Sequence, residues 1–193
     1  MRQQLLQLHR EGWVESQVAR GGERGRTGRP ATNYSLTEAG DHLFPKHYSA
    51  LNVAVLDAVA DELGAEAVVK VLRRISNERV VQSEESLRDL TLAQRVAALK
   101  DWYGEADPYM QVGPFGEGDF ALIERNCPFI NTALHRPALC SVSVNALTRL
   151  LGVRVRRDET FQQGDGRCVF HVYANEPVDP ETWEFQLESS LQR

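Results

Sequence analysis

Residues 20–30 have the sequence RGGERGRTGRP, which is rich in glycine and arginine and ends in proline. This composition favours a loop, because glycine and proline both disfavour the interior of a helix or a strand. Short runs of strand type flank the loop at residues 13–18 and 33–36. Residues 2–12 have the apolar spacing of a helix, and Gly12 is a candidate C-terminal cap. The sequence therefore predicts a helix, a strand, a basic loop and a second strand, in this order.

This order is the layout of the recognition helix and the wing of a winged-helix DNA-binding domain. Arginine offers a permanent charge and a planar set of donors, and glutamine pairs with adenine edges in the major groove. The candidate DNA contacts are Arg2, Gln3, Gln4, Gln7, Arg24, Arg26 and Arg29. The alternative is a solvated surface helix followed by a flexible basic loop. The two helices that should precede a recognition helix are missing, so we expect an N-terminally truncated domain whose DNA binding is weak or lost.

Charge is distributed unevenly along the chain. The net charge is −5, but residues 1–46 contain seven Lys and Arg against five acidic residues, which gives +2 there and leaves −7 for the rest. A small basic part on an acidic body is typical of a protein that touches nucleic acid with one part only. There is neither an apolar run of roughly 18 residues nor a secretory signal. We therefore expect a cytoplasmic protein without membrane contact.

Residues 47–103 are predicted to form a helical linker or dimerisation segment. Thr37 and Thr91 are candidate N-caps, and Gly64 is expected to end a long helix. Apolar residues recur at helical spacing in three stripes, which are Leu51, Val55, Val59 and Leu63, then Val68, Val71, Leu72 and Ile75, then Leu92, Val96, Leu99 and Tyr103. The stripes fit an interface between two copies as well as packing within one chain.

Residues 104–193 are predicted to form an α/β domain with two β-hairpins and a helical pair. The pair is broken near Pro137, and the turn of the second hairpin is expected at residues 163–166. The acidic stretch after Asn175 is expected to end loosely or in a short helix. The expected hairpin strands are residues 109–112 and 120–123, then 153–161 and 168–173.

Together these patterns predict an α+β fold in three regions. These are a partial winged-helix DNA-binding domain at residues 1–46, a helical linker or dimerisation segment at 47–103, and a cysteine-bearing sensor domain at 104–193. The chain has neither a Gly-x-Ser-x-Gly nor a His-Glu-x-x-His motif, so we do not expect an enzyme.

The three cysteines of the chain are Cys127, Cys140 and Cys168, and none of them belongs to the Cys-x2-Cys pair that is typical of zinc sites. Cys127 precedes a proline and Cys140 lies near the start of a predicted helix, and helix N-termini favour the thiolate that binds iron. Three thiolates from three elements would suit one iron–sulfur cluster, with His135 or His171 as candidate fourth ligands. Three buried structural thiols and a zinc-stabilised protein are the alternatives.

Two groups of motifs resemble known families. Residues 28–30 (GRP) and 34–40 (YSLTEAG) resemble the wing and the following helix of ArsR/DeoR-like winged-helix regulators. Residues 126–129 (NCPF), 136–140 (RPALC) and 164–168 (GDGRC) resemble the C-terminal region of the repressors of the iron–sulfur cluster assembly (Suf) operon. The resemblance extends from the predicted recognition helix to about Tyr173.

The resemblance implies a homodimeric repressor that binds double-stranded DNA and senses an iron–sulfur cluster, of the 2Fe-2S or the 4Fe-4S type. Cys127, Cys140 and Cys168 match ligand positions of that family. Well-known members have a further cysteine near the position of Gly152 and Val153, which this chain lacks. The fourth ligand would then be a non-cysteine residue, an exogenous thiol or a residue of a partner, or the cluster has been lost. The alternative function is a winged-helix regulator whose C-terminal domain binds a small molecule and no metal.

Overall fold

The computed structural model of the chain has mixed secondary structure, 53% helix and 23% strand, in agreement with the predicted α+β class. The chain divides into two compact units, Met1–Tyr48 and Ser49–Arg193. The structure describes residues 2–18, 31–43, 48–103, 107, 109–116 and 118–188. Within these ranges, no helix is both long and apolar enough to cross a lipid bilayer.

The first unit contains a β-hairpin with a helix on each side of it in the sequence. The strands are antiparallel, with Val14 opposite Leu36 at one end and Val18 opposite Thr32 at the other. The elements are α1 (Arg2–Arg10), β1 (Val14–Val18), β2 (Thr32–Leu36) and α2 (Glu38–His42). The predicted helix and both predicted strands are thus present, whereas the basic loop between the strands lies outside the described residues.

Three residues join the elements of this unit. Gly12 has a φ of 80°, the left-handed conformation that favours glycine after a helix. The Thr37 hydroxyl donates to the carbonyl of Gly12 at 2.6 Å and accepts from the Gly40 N–H at 3.0 Å, which confirms Thr37 as the N-cap of α2. Gly40 lies against the carbonyl of Trp13, where an added Cβ would be 2.0 Å from the oxygen. A side chain at position 40 would therefore push α2 away from the hairpin.

The second unit is a four-stranded antiparallel sheet with helices on one face. The strand order is β3-β4-β6-β5, so both predicted hairpins pair with each other through β4 and β6. The helices are α3 (Tyr48–Leu63), α4 (Ala65–Leu87), α5 (Leu92–Tyr103), α6 (Ile130–His135) and α7 (Ser141–Leu151). The strands are β3 (Gln111–Phe115), β4 (Asp119–Glu124), β5 (Val153–Glu159) and β6 (Cys168–Pro177). Short 3-10 helices occupy Pro137–Cys140 and Phe161–Gln163.

The core of this unit lies between the sheet and α7. Side chains alternate along β6, so that Phe170 and Val172 face the core and are buried. Leu147 of α7 and Leu99 of α5 pack in the same cluster. The helices of residues 65–103 and the sheet of residues 111–177 consequently share one core.

The predicted helical stripes differ in burial. Val96 and Leu99 of α5 are buried, and a capping box between Thr91 and Gln94 confirms the predicted N-cap of this helix. The side chain of Tyr103 lies outside the described part. In α4 the buried face is formed by Leu72, Ser76, Val80, Ser83 and Leu87, so most of the predicted stripe of α4 is not in the core.

Helix α3 ends at Leu63, just before Gly64, as predicted, but it has no buried residue. Leu51 is 60% exposed, Val55 is 52% exposed and Leu63 is 70% exposed. The apolar stripe of this helix therefore finds little cover within one chain.

The segment after β6 is held by hydrogen bonds as far as residue 188, whereas residues 189–193, where a loose end or a short helix was expected, lie outside the described residues. The amide group of the buried Asn145 donates to the carbonyl of Gln186 at 2.7 Å and accepts from its N–H at 2.9 Å. The indole of Trp183 donates to the same amide oxygen at 3.0 Å. The N–H of Glu188 donates to the Ser141 hydroxyl at 2.9 Å. The side-chain amide of Asn145 thus binds the backbone of this segment as a neighbouring strand would. Sequence periodicity does not indicate this role.

Candidate functional site

A cavity of about 370 Å³ opens next to the sheet in the second unit. Its wall is mostly apolar and includes Leu51 and Val55 of α3 and Val71 and Ile75 of α4. The polar or ionisable groups in the wall include Cys127, Cys140, Glu124, Arg157 and Arg79. Two of the three predicted ligand residues therefore line the same cavity.

The three cysteines come from three different elements. Cys127 lies in the loop after β4, Cys140 ends the 3-10 helix before α7, and Cys168 is the first residue of β6. A negative charge on either Cys140 or Cys168 would raise the pKa of Cys127, so the three thiols are electrostatically coupled. The fold thus brings together residues that are up to 41 positions apart in the sequence.

Hydrogen bonds link Cys140 and Cys168 through two polar side chains. The amide of Gln162 donates to the Cys140 sulfur at 3.2 Å, and the Arg157 guanidinium donates to the Cys168 sulfur at 3.4 Å. The same nitrogen of Arg157 also reaches Gln162 at 3.5 Å. Both sulfurs therefore lie beside donors that would stabilise negative charge on them.

All three thiols have raised pKa values in the metal-free chain. Burial raises the pKa of Cys127 to about 12, and the neighbouring carboxyl of Glu124 adds to the rise. Burial also raises the pKa of Cys140 and of Cys168, against the opposing effect of the Arg157 charge. The thiols are consequently protonated near neutral pH, and any metal that binds them must displace protons.

The expectation that helix N-termini would favour the thiolates is therefore wrong for this chain. The N-cap of α6 is Phe129 rather than Cys127. Cys140 does occupy the N-cap position of α7, but its side chain makes no capping hydrogen bond. Burial, which the sequence pattern does not indicate at these positions, determines the direction of the shift.

Glu124 is the acidic member of the site. It is 7% exposed and lies opposite Cys168 in the register of β4 and β6. Cys127 lies close enough to this carboxyl group to act on its charge. Burial raises the pKa of Glu124, and the charge of Asp107 raises it further. Glu124, the last residue of β4, therefore lies beside both Cys127 and Cys168.

Asp107 positions the loop that carries Cys127. It is 1% exposed, and its carboxylate accepts three backbone N–H bonds, from Tyr109 at 2.9 Å, from Arg125 at 2.7 Å and from Asn126 at 3.0 Å. No sequence pattern indicates this role of Asp107, because two of its three bonds go to residues 18 and 19 positions away.

Sequence patterns did not indicate Arg157 and Glu188 as residues of the site either. The guanidinium donates to both carboxylate oxygens of Glu188, at 2.5 and 2.6 Å. Burial works against the charge, but the bonds to Glu188 raise the pKa of Arg157 well above its usual value. The alternation of Val153, Val155 and Arg157 along β5 was the one available signal that position 157 faces inward.

The two histidines that were candidate fourth ligands lie elsewhere. His135 is exposed at the end of α6. His171 points to the opposite face of the sheet from Cys168, where its ring is hydrogen-bonded to Asp119 at 2.8 Å and to Asp158 at 3.2 Å. Neither histidine lines the cavity.

The candidate DNA contacts fall in the first unit. Arg2, Gln3, Gln4 and Gln7 are all exposed on α1, and the Gln7 amide donates to Glu11 at 2.6 Å. The other candidates, Arg24, Arg26 and Arg29, lie outside the described residues.

The cavity wall presents thiol and carboxyl groups, which are donors that metal centres use in proteins. No three His, Cys, Asp or Glu side chains in the described ranges are arranged to hold a metal ion. A single zinc ion draws its thiolate ligands to about 2.3 Å, whereas a cluster is a wider body whose thiolates bind different irons. Cys127 and Cys140 line the cavity, and Cys168 is buried beside Arg157. Neither a protein-family model nor a curated protein matches this chain.

Proposed function

We propose that this chain is a DNA-binding transcription regulator that senses an iron–sulfur cluster through Cys127, Cys140 and Cys168. The observation that carries the proposal is that Cys127 and Cys140, from two separate elements, line one mostly apolar cavity, and that Cys168, from a third element, lies beside Arg157 in the wall of that cavity. Thiolates are the ligands that iron–sulfur clusters prefer in proteins. The Arg157 guanidinium beside two of the sulfurs would offset part of the negative charge of the ligands.

A cluster bound here would supply a centre that responds to oxidants and to iron supply. The residues of the chain would do the coupling. Cys127 belongs to the loop after β4, Cys140 to the start of α7, and Cys168 to β6, so common ligation ties a loop, a helix and a strand to one another. Release of the three thiols would loosen these elements in the domain that carries the proposed dimer helix α3.

The DNA-binding half of the proposal rests on α1 and the hairpin that follows it. Four polar side chains suited to base and phosphate contacts are exposed on one short helix. An antiparallel hairpin comes next, in the position that a wing would take. Such a regulator works in the cytoplasm as a homodimer, for which the exposed apolar stripe of α3 is the proposed interface.

Anaerobic reconstitution with ferrous iron and sulfide tests the cluster site. The wild-type chain is expected to become coloured and to retain iron and sulfide in matching amounts after desalting, while Cys127→Ser, Cys140→Ser and Cys168→Ser lose most of both. Ala146→Ser is a matched control, because it adds a hydroxyl to the buried core away from the cavity. A wild-type chain that stays colourless and free of iron would overturn the proposal.

A second candidate function is a regulator that binds an apolar small molecule and no metal. The cavity volume of about 370 Å³ and its mostly apolar wall favour this candidate. A variant with all three cysteines replaced by serine separates the two functions. It would keep a small-molecule ligand, detected by native mass spectrometry, but would bind no iron.

A further inference from the structure

We propose that the Glu124 carboxylate is the fourth protein ligand of the cluster site, so that the site offers three sulfurs and one oxygen. This inference rests on the proposed function. It answers a question raised by the sequence, which provides only three cysteines for a centre that commonly has four protein ligands.

The strand register places Glu124 beside the ligands. Glu124 ends β4 directly opposite Cys168 at the start of β6. Residues opposite each other in an antiparallel pair point to the same face, with Cβ atoms about 4.5–5.5 Å apart. Cys127 lies close enough to act on the charge of the same carboxyl group, and Glu124 lines the cavity together with Cys127 and Cys140. One carboxyl group therefore lies beside Cys127 and Cys168 and shares the cavity wall with Cys140.

Burial of this carboxyl group is only partly offset by its surroundings. Glu124 is 7% exposed and forms no salt bridge among the described residues, and burial keeps its pKa raised although the charges of Arg157 and Arg79 act in the opposite direction. The second buried carboxyl nearby, that of Asp107, adds repulsion. Buried carboxylates are normally paired with a cation or bound to a metal. Iron at the three thiols would provide that positive partner.

The other polar groups near the sulfurs are already engaged. Both oxygens of Glu188 accept hydrogen bonds from Arg157. The Gln162 amide donates to Cys140 and accepts from Arg157. His135 and His171 lie away from the cavity. Among these groups, Glu124 is the one that combines metal-binding oxygens with a position between two cysteines.

An oxygen ligand predicts a particular behaviour of the site. Carboxylate is a harder ligand than thiolate and holds iron in a cluster less firmly. One iron would then be more easily released than in a site with four thiolates. A cluster held in this way is suited to a sensor that must lose it when iron is short or oxidants are present.

The test compares Glu124→Gln and Glu124→Cys with the wild-type chain after reconstitution. The measured quantities are the absorption and circular dichroism spectra, the electron paramagnetic resonance spectrum after reduction, and the rate of iron transfer to ferrozine. Glu124→Gln is expected to lose iron at least about tenfold faster than the wild type. Glu124→Cys is expected to show shifted spectra of the all-thiolate kind and slower loss of iron.

Two controls separate a ligand from a merely structural residue. Thermal unfolding of the metal-free Glu124→Gln chain is expected to occur at or above the wild-type temperature, because the variant removes a buried acid. Glu176→Gln, a change at an exposed position of β6, is expected to leave all spectra and rates unchanged.

The outcomes distinguish this inference from the proposed function. A wild-type chain that binds no cluster overturns the proposed function itself. A wild-type chain that binds one, with unchanged spectra and iron loss in both Glu124 variants, overturns only the assignment of Glu124.

Discussion

Arg157 and Glu188 form a buried ion pair with two parallel hydrogen bonds, and the third guanidinium nitrogen contacts the sulfur of Cys168. The side chains are 6% and 9% exposed. The pair connects the segment after β6 with the wall of the cavity. Glu188 also provides the counter-charge for the Arg157 guanidinium, which would otherwise be buried without one.

Replacement of Glu188 by glutamine is expected to destabilise the chain strongly. Arg157 would remain buried without a counter-charge, which typically costs about 3–5 kcal/mol. Urea unfolding measures the change in the free energy of unfolding. Glu176→Gln is the control, because its ion pair with Arg154 is largely exposed and should contribute at most about 1 kcal/mol. Equal losses in the two variants would contradict the account of the buried pair.

The variant Asp107→Ala is expected to destabilise the loop that carries Cys127. It would leave three backbone N–H groups without their acceptor, at a cost of about 1–3 kcal/mol. Hydrogen exchange of the Arg125 and Asn126 amides should accelerate, as measured by mass spectrometry. Asp179→Ala, which removes a local acceptor in an exposed turn, should leave those two amides protected. Unchanged exchange in Asp107→Ala would contradict the proposed role of this residue.

Acid is expected to remove a stabilising contribution from Asp119. The bond from His171 and the bond from the Ala174 N–H lower the pKa of Asp119 in the folded chain. A folded pKa below the unfolded value of about 3.9 means that the contribution is present above about pH 4 and is lost as the pH falls through the folded pKa. The wild type should therefore be more stable than Asp119→Asn at pH 6, and the difference should shrink towards pH 3.

Urea midpoints between pH 6 and pH 3 measure this difference. The control is Asp61→Asn, which changes an exposed aspartate of α3. Its stability relative to the wild type should vary less with pH. A difference for Asp119→Asn that grows on acidification would contradict the assignment.

The apolar stripe of α3 predicts self-association. Leu63 is 70% exposed at the end of a helix without buried residues, so Leu63→Asp should leave folding intact and weaken the dimer. Sedimentation velocity over a range of concentrations measures the change. Val81→Asp alters a similarly exposed aliphatic residue of α4, 67% exposed, and should have little effect on association. A wild-type chain that is monomeric at all concentrations would contradict the proposed interface.

Local patterns predicted much of the fold. Strand-type runs and turn signals predicted both hairpins, although β3 begins at Gln111 and not at residue 109. Thr37 and Thr91 cap their helices through bonds within three residues of each hydroxyl. The exposed stripe of α3 differs from the buried positions of α5 because burial depends on which helix lies opposite, and spacing alone does not contain that information.

The site was predictable only in part for the same reason. The cysteines were visible as residue types, and the structure places Cys127 and Cys140 in the wall of one cavity. Asp107, Glu124 and Arg157 were missed, because each acts through partners that only the tertiary fold brings near. The predicted lowering of the thiol pKa values was wrong, because burial raises them and outweighs any effect of a helix N-terminus.

The bond between Trp183 and Asn145 gives the protein an optical indicator of its own. Asn145 lies near the start of α7, one turn after Ser141, which directly follows Cys140, and the Trp183 indole donates to its amide oxygen. A shift of this end of α7 would change the polarity around the indole. Rearrangement at the thiols would then be visible in tryptophan emission without any attached label.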